Sequence, residues 1–524
     1  MSDFQEPNQG DYKETGLTTG QDTLNLGGDQ DLVIGEVTDG GAAGLDTLNP
    51  SDYINGGGGD DWLQITATGA DVNFSGAEVR KVELVELRNF TTGNTLELNT
   101  INWSDVTTWW SHNSTGRTVV DNVQTEADVA FTGGPNGDPA TFKINFDNGL
   151  YNGSNDMQYI TLDNANVDYE VNDYEGAPGI ESAHIVANGG DSDIEFDIAG
   201  LMNLEISGDA KNLDVEQEDW NGPSEYLNSI DSTAYLGNLE LDAMVDNFSN
   251  GDAATVDTGK GKDNLDLMGD DFYDTDVIID TGKGADTVNA NMFDEVTLNT
   301  AGGKDDVTVY ASGAVDLNTG GGADSAWVYG DSLVAKTGKK ADYLYFNIDG
   351  DTDINTGGGG DDSSGNVYGG NLEAALGGGS NSLDANVYDQ NIGSKGNATV
   401  TGGNGNDVVD LMVGQNAWID LANGDNDIDL DFGDGSYGSG VVNQATVITG
   451  DGNDSLVASS GTGDDLDWTA GPGADYGDIE DVSTTSATID FGRGADVLET
   501  GDRGTVASDD IDFGDSNNDR MNVD

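Results

Sequence analysis

From residue 258 onward the chain repeats one spacing: a glycine, any residue, a second glycine, any residue, an aspartate. Gly259, Gly261 and Asp263 form the first copy, and Gly282, Gly284 and Asp286 the second. Further copies are Gly320, Gly322 and Asp324; Gly357, Gly359 and Asp361; and Gly403, Gly405 and Asp407. The run continues through Gly450, Gly452 and Asp454, then Gly471, Gly473 and Asp475, then Gly492, Gly494 and Asp496. Looser copies end at Asp306 and Asp342, and Asn381 and Asn426 stand where the aspartate would be. Glycines at this spacing can take positive φ, curl the backbone and aim carbonyl oxygens at one point. The aspartate adds a carboxylate. An all-oxygen shell of this kind suits Ca2+ rather than a softer metal. One turn cannot supply six to eight oxygens, but two stacked turns can share an ion. These residues are therefore candidate ligands for a series of calcium ions. Lys260, Lys262, Lys283, Lys304, Lys339 and Lys340 lie in the same turns, where an ammonium could replace an ion.

Subtracting successive positions gives intervals of 18 to 28 residues, the self-similarity of a stacked-repeat architecture. Each copy is followed by alternating apolar and polar residues, as in Asn264-Leu265-Asp266-Leu267, Thr287-Val288-Asn289-Ala290 and Val408-Val409-Asp410-Leu411. A second alternating segment precedes the next copy, as in Asp276–Ile279, Glu295–Leu298 and Ala314–Leu317. A period of two predicts strands with one buried face. One coil is then a strand, a plain turn, a strand and a Gly-Asp turn. Coils stacked at the strand spacing of roughly 4.8 Å would set the aspartates in a file down one edge.

The residues at this point carry a family resemblance. Gly402-Gly403-Asn404-Gly405-Asn406-Asp407-Val408-Val409-Asp410 resembles the nonapeptide of the RTX calcium-binding β-roll proteins. Gly56 to Gln64, with Gly57, Gly59 and Asp61, resembles it too, and Gly41 to Leu48, with Asp46, nearly does. The resemblance implies a parallel β-roll and export by a type I apparatus that reads an uncleaved C-terminal signal. RTX rolls usually carry the nonapeptide on both edges of every coil, whereas most coils here have it on one. The expected fold is therefore all-β, a parallel β-helix or β-roll solenoid with a calcium ladder mainly along one edge. Asp22, Asp31, Asp46 and Asp61 mark an N-terminal stretch, residues 1–65, of similar coils or assembly contacts.

Composition agrees with a cation-dependent fold. The 524 residues carry 99 acidic against 18 basic side chains, a formal net charge of −81. A compact chain of that charge repels itself unless cations neutralise it, and it repels nucleic acid and anionic membranes. Glycine is abundant at 78 and proline scarce at 7, which suits tight turns rather than collagen or a Pro-rich linker. There are no cysteines, so bound metal is the expected substitute for disulfides. No apolar run is long enough for a membrane span, and Met1 to Pro7 has neither the basic start nor the apolar core of a cleaved signal peptide. Without calcium the chain is expected to be disordered.

Residues 66–250 lack the repeat yet still alternate, as at Lys81–Leu87, Ser192–Ile198, Leu201–Gly208 and Leu236–Leu241. They read either as an irregular continuation of the solenoid or as an inserted module. Trp103, Trp109, Trp110 and Trp220 fall here and suit either buried anchors or a glycan-binding face. Residues 251–500 form the calcium-binding solenoid. The acidic segment 501–524 reads as a secretion signal, a cap, or a strand given to a neighbouring molecule. An enzyme is not expected. His112 and His184 form no zinc motif, Asp434-Gly435-Ser436-Tyr437-Gly438 lacks the first glycine of a nucleophile elbow, and Arg80, Arg88 and Arg117 are unpatterned candidates for a lyase. The expected role is a calcium-dependent, secreted structural protein of surface-layer or matrix-filament type that forms homopolymers. The alternative is a calcium-stiffened adhesin that binds cell-surface glycan through residues 66–250.

Overall fold

Alternation of period two dictates strands, and coils of similar length dictate that each strand pairs with its counterpart one coil on. The structure, a computed structural model, describes residues 4–38, 46–91, 95–134, 139–147, 149–151, 153–171, 179–198, 200–217, 226–246, 253–269, 275–388, 396–432, 444–460, 465–480, 486–500, 509–514 and 518–523. It is an all-β parallel β-solenoid, and a single 3-10 turn at Gln9–Asp11 is the only helical element among the described residues. The chain forms two compact units, Met1–Leu267 and Met268–Asp524.

In the second unit every coil contributes to two parallel sheets. Strands that precede the Gly-Asp turn, such as Val277–Asp280, Val296–Asn299 and Ala314–Asn318, stack in register, so Val296 lies between Val277 and Val315. Strands that follow the aspartate, such as Thr287–Phe293, Asp306–Ala311, Ser325–Gly330 and Tyr343–Ile348, build the other sheet in the same way. Identical registers turn the inward positions into columns of aliphatic side chains. Val288, Val307, Ala326 and Leu344 form one such column, and each is buried. Each coil thus adds a thin layer of core against its neighbours rather than feeding one central core.

The first unit is also built of two parallel sheets and adds a small third one from Thr23–Asn25, Tyr53–Asn55 and Glu78–Arg80. Parallel coils run through the region between the repeats, for example Asn166–Val171, Ser192–Ile198, Asn212–Gln217 and Asn238–Val245. Alternation at Lys81–Leu87 predicted a strand there, but the strand is Leu84–Asn89, because Lys81 turns the chain at φ 51°. Its burial does not alternate either, since both faces are covered. On the inner face Leu63, Val85 and Trp109 form a column, and on the outer face Trp62 and Trp110 are buried under the N-terminal segment. Phe4 packs 5.4 Å from Trp110, and Tyr12 meets Trp62 edge-on at 5.5 Å.

Candidate metal-binding ladder

The Gly-Asp turns stack as tightly as the strands. At Gly357, φ is 78° and a Cβ would overlap the Gly338 carbonyl oxygen one coil back. The Gly358 amide donates to that same oxygen at 3.0 Å, so the turn extends the parallel ladder around the corner. With the turns this close, the aspartate that ends each one points inward.

Burial of the aspartates is nearly complete: Asp324, Asp361, Asp407, Asp454, Asp475 and Asp496 are all at most 3 % exposed, and Asp342 is 4 % exposed. In each case one carboxylate oxygen accepts the main-chain amide of the ladder residue one coil earlier. The Asp286 amide donates to Asp305 Oδ1 at 2.9 Å, Asp305 to Asp324 at 3.0 Å, Asp324 to Asp342 at 3.0 Å, and Asp342 to Asp361 at 3.0 Å. The file continues through Asn381, Asp407, Asn426, Asp454, Asp475 and Asp496 to Asp519 without a break. The two asparagines keep the Oδ1 acceptor and lose only the charge, which is why they fit.

The second oxygen divides the ladder into two classes. At Asp263, Asp286 and Asp305 the threonine five residues earlier closes on it: Thr258, Thr281 and Thr300 each donate to Oδ2 at 2.8 Å. Thr300 also reaches the Thr319 carbonyl at 3.1 Å. From Thr319 onward the hydroxyl donates to a carbonyl of the next coil, as Thr319 does to Thr337 at 3.1 Å and Thr356 to Leu376 at 2.9 Å, while staying close enough to its own aspartate to pull that carboxyl down against burial. Oδ2 of Asp324, Asp342, Asp361 and Asp454 is buried with no hydrogen bond, and so is Oδ2 of Asp407, Asp475 and Asp496, whose coils carry Gly402, Ala470 and Phe491 in the place of the threonine. A buried carboxylate oxygen without a partner costs on the order of 1–3 kcal/mol. Burial accordingly pushes the Asp475 carboxyl up to about 7 and those of Asp342 and Asp454 up to about 6, against the opposing pull of their amide donors. Burial raises Asp324, Asp361, Asp407 and Asp496 in the same direction.

The first unit carries a shorter version. The Asp31 amide donates to Asp61 Oδ1 at 2.9 Å, and the Asp61 amide to Glu83 Oε2 at 2.9 Å. Both Asp31 oxygens and Asp61 Oδ2 are buried without hydrogen-bond donors, although Lys13 Nζ lies 4.0 Å from Asp31 Oδ1. Asp22 and Asp46 are placed differently. Asp22 accepts from the Thr18 amide and hydroxyl, and Asp46 from the Thr38 amide and hydroxyl, so each fixes a loop rather than standing in the file. The glycine preceding Asp46 lies outside the described residues.

One candidate is corrected. Asp306 is exposed and opens a strand, while Asp305 occupies the ladder position. Counting the threonine, which sits five residues before every ladder aspartate from 263 to 361, would have selected Asp305. The same signal marks the threonine column itself, and Asp519 and Glu83 were missed because no glycine pair precedes them. The lysines of the turns make no ion pair within 4.0 Å to a ladder carboxylate among the described residues. Instead Lys260, Lys262, Lys283 and Lys304 mark the coils that threonine closes.

Carboxylates also line outward positions. Asp193, Asp214 and Glu240 stand directly opposite one another on adjacent strands, beside a second column of Glu195, Glu216 and Asp242. Burial and these neighbours push Asp214 and Asp242 up to about 6. The acids are stacked one per coil: among the described residues no three His, Cys, Asp or Glu side chains converge on a point.

The enzyme-like candidates disperse. His112 and His184 lie on separate strands; His112 Nδ1 sits 2.7 Å from Glu86 Oε1 and its ring stacks on Trp110, while His184 Nε2 sits 2.7 Å from Ser207. Arg80, Arg88 and Arg117 pair with Glu78, Glu86 and Glu170. Trp103, Trp109 and Trp110 are at most 3 % exposed, so they form no glycan-binding face. Trp220 and Asp434–Gly438 lie outside the described residues. Comparison with family models, with curated proteins and with solved structures found no match to this chain.

Proposed function

We propose that this is a calcium-dependent structural protein that is exported, folds outside the cell and polymerises into a surface layer or matrix filament. The observation that carries the reading is the file of buried ladder aspartates whose second oxygen has no donor. The donor set is oxygen alone, one carboxylate per coil beside the stacked main-chain carbonyls of the glycine turns, and this fits Ca2+ better than a softer ion. Asp324, Asp342, Asp361, Asp407, Asp454, Asp475 and Asp496, with Asp31 and Asp61 in the first unit, are the residues that would hold it. Calcium bound there supplies the missing partner and ties successive coils together. In a cytosol poor in calcium the acids repel and leave the folded state only marginally stable; millimolar calcium then stabilises it by mass action.

Strand edges support polymerisation. Among the described residues Lys13–Gly16 pairs with Asp31–Thr38 and Arg520–Val523 with Val497–Thr500, with no second strand on the other side, and strand edges of this kind can pair with another chain. Electron microscopy in millimolar calcium and after chelation tests the whole reading. Filaments or sheets that dissolve on chelation are the expected result, and particles indifferent to chelation would overturn it.

A further inference from the structure

With Trp103, Trp109 and Trp110 in the core, half-exposed aromatic rings gather elsewhere, on the outer face of the second unit. Strands Asp306–Ala311, Ser325–Gly330 and Tyr343–Ile348 place Tyr310, Trp327, Tyr329, Tyr343 and Tyr345 at outward positions of three successive coils. The registers fix their arrangement: Tyr310 lies opposite Tyr329, and Trp327 opposite Tyr345. Tyr310 and Tyr329 stack at 4.6 Å and 13°, Tyr329 meets Tyr345 at 5.9 Å, and Trp327 meets Tyr343 at 5.5 Å. Five rings therefore run as a diagonal band across a regular parallel sheet, with Tyr310 itself 40 % exposed.

Ring stacking by itself stabilises neighbouring strands, but it does not explain what surrounds the band. The remaining outward positions here are Thr308, Ser325 and Asn347, and acids appear only at the corners, Asp306 and Asp362. Elsewhere on the same sheet outward columns are acidic, as at Asp384, Asp410 and Asp429. In a chain of net charge −81 this is an uncharged island. Beside the rings runs a column of side-chain amides, Asn347, Asn366 and Asn386, linked by hydrogen bonds of 3.5 and 3.2 Å.

We propose that this band is a binding platform for a neutral polysaccharide. Tyrosine and tryptophan offer broad, rigid faces at small entropic cost, and these suit the flat apolar face of a pyranose ring. Amides and hydroxyls alongside match sugar hydroxyls. Charge selects among the other partners that stack on aromatics. Nucleic acid is repelled by the field of the whole chain, and a polycation is drawn to the acid-lined faces, not to the one face that lacks them.

The test is depletion of the full chain from solution, in millimolar calcium, by insoluble cellulose and by insoluble chitin. Native protein is expected to bind at least one of them, and Trp327→Ala/Tyr345→Ala to lose about tenfold or more in affinity. Trp418→Ala, which removes an exposed ring on the other sheet, is expected to bind as native does. Trp327→Phe/Tyr345→Phe keeps the rings and should retain most of the binding. Thr308→Glu, which adds a charge opposite Trp327 and removes no ring, should weaken it even if the alanine pair fails to fold. Failure of native protein to bind either polymer, or equal binding by Thr308→Glu, would overturn the platform. So would binding to polylysine, but to neither polymer, that the alanine pair abolishes.

Discussion

Asp475 shows what one ladder residue does. Its Oδ1 accepts the Asp454 amide, and its Oδ2 has no donor while burial lifts the carboxyl to about 7. Asparagine already serves at positions 381 and 426, so Asp475→Asn should keep the amide bond and remove the charge. In chelator the variant is expected to be more stable than native by about 1–3 kcal/mol, read by denaturant unfolding. In saturating calcium the gain should vanish or reverse, because the variant loses an ionic ligand. A gain of equal size in both conditions would separate Asp475 from calcium. The same shifts fix a pH dependence. A carboxyl whose folded value lies above its unfolded one binds its proton more tightly in the folded state. That stability is fully present near pH 4 and is lost as pH rises through about 6 to 7. Chelated protein should therefore unfold more readily at pH 7.5 than at pH 5.5, the reverse of ordinary acid denaturation, and calcium should narrow the difference.

At the scale of the coil, a glycine that the repeat fixes and a glycine at the variable position between two of them do different jobs. Gly357 combines a φ of 78° with a carbonyl in the place of a side chain, whereas a Cβ at Gly378 would meet nothing within 4 Å. Gly357→Ala is expected to cost about 1–3 kcal/mol, and Gly378→Ala to be nearly neutral, in thermal unfolding with calcium present. Equal effects would mean that backbone conformation does not control the turn. Strand signals were legible wherever one face was wet: Val296–Asn299 and Ala314–Asn318 stand within a residue of their predicted bounds. They failed at Leu84–Asn89, where Phe4 and Tyr12 cover the outer aromatics, because alternation reports the contrast between a dry face and a wet one.

For the whole molecule, 99 acids act at two depths that salt can tell apart. Outward columns such as Asp193, Asp214 and Glu240 are screened by any cation, since a Debye length falls to about 3 Å at 1 M salt. The orphaned oxygens of the ladder are buried and feel little of it. Sodium chloride at about 1 M should therefore raise the unfolding temperature of chelated protein only part of the way, and millimolar calcium should supply the rest. Full replacement of calcium by sodium would mean that the ladder binds no specific ion and that charge screening alone holds the coils.

The sequence by itself determined the solenoid, the two strands per coil, the single Gly-Asp edge and the oxygen-only character of that edge. All of these follow from local period and residue type, which a chain displays without folding. It also named most ladder aspartates, missing by one residue at Asp305, where two adjacent acids satisfy the glycine count and only the preceding threonine discriminates. At Asp407, Asp475 and Asp496 the missing threonine already removes the second donor, whereas at Asp324, Asp342, Asp361 and Asp454 only the tertiary structure decided that Oδ2 is left without a hydrogen bond, because the hydroxyl is shared with a carbonyl of the next coil. It decided as well that Trp109 is core and Trp327 is surface. Both sit on strands, and the side of the sheet they occupy is set by register against neighbouring coils.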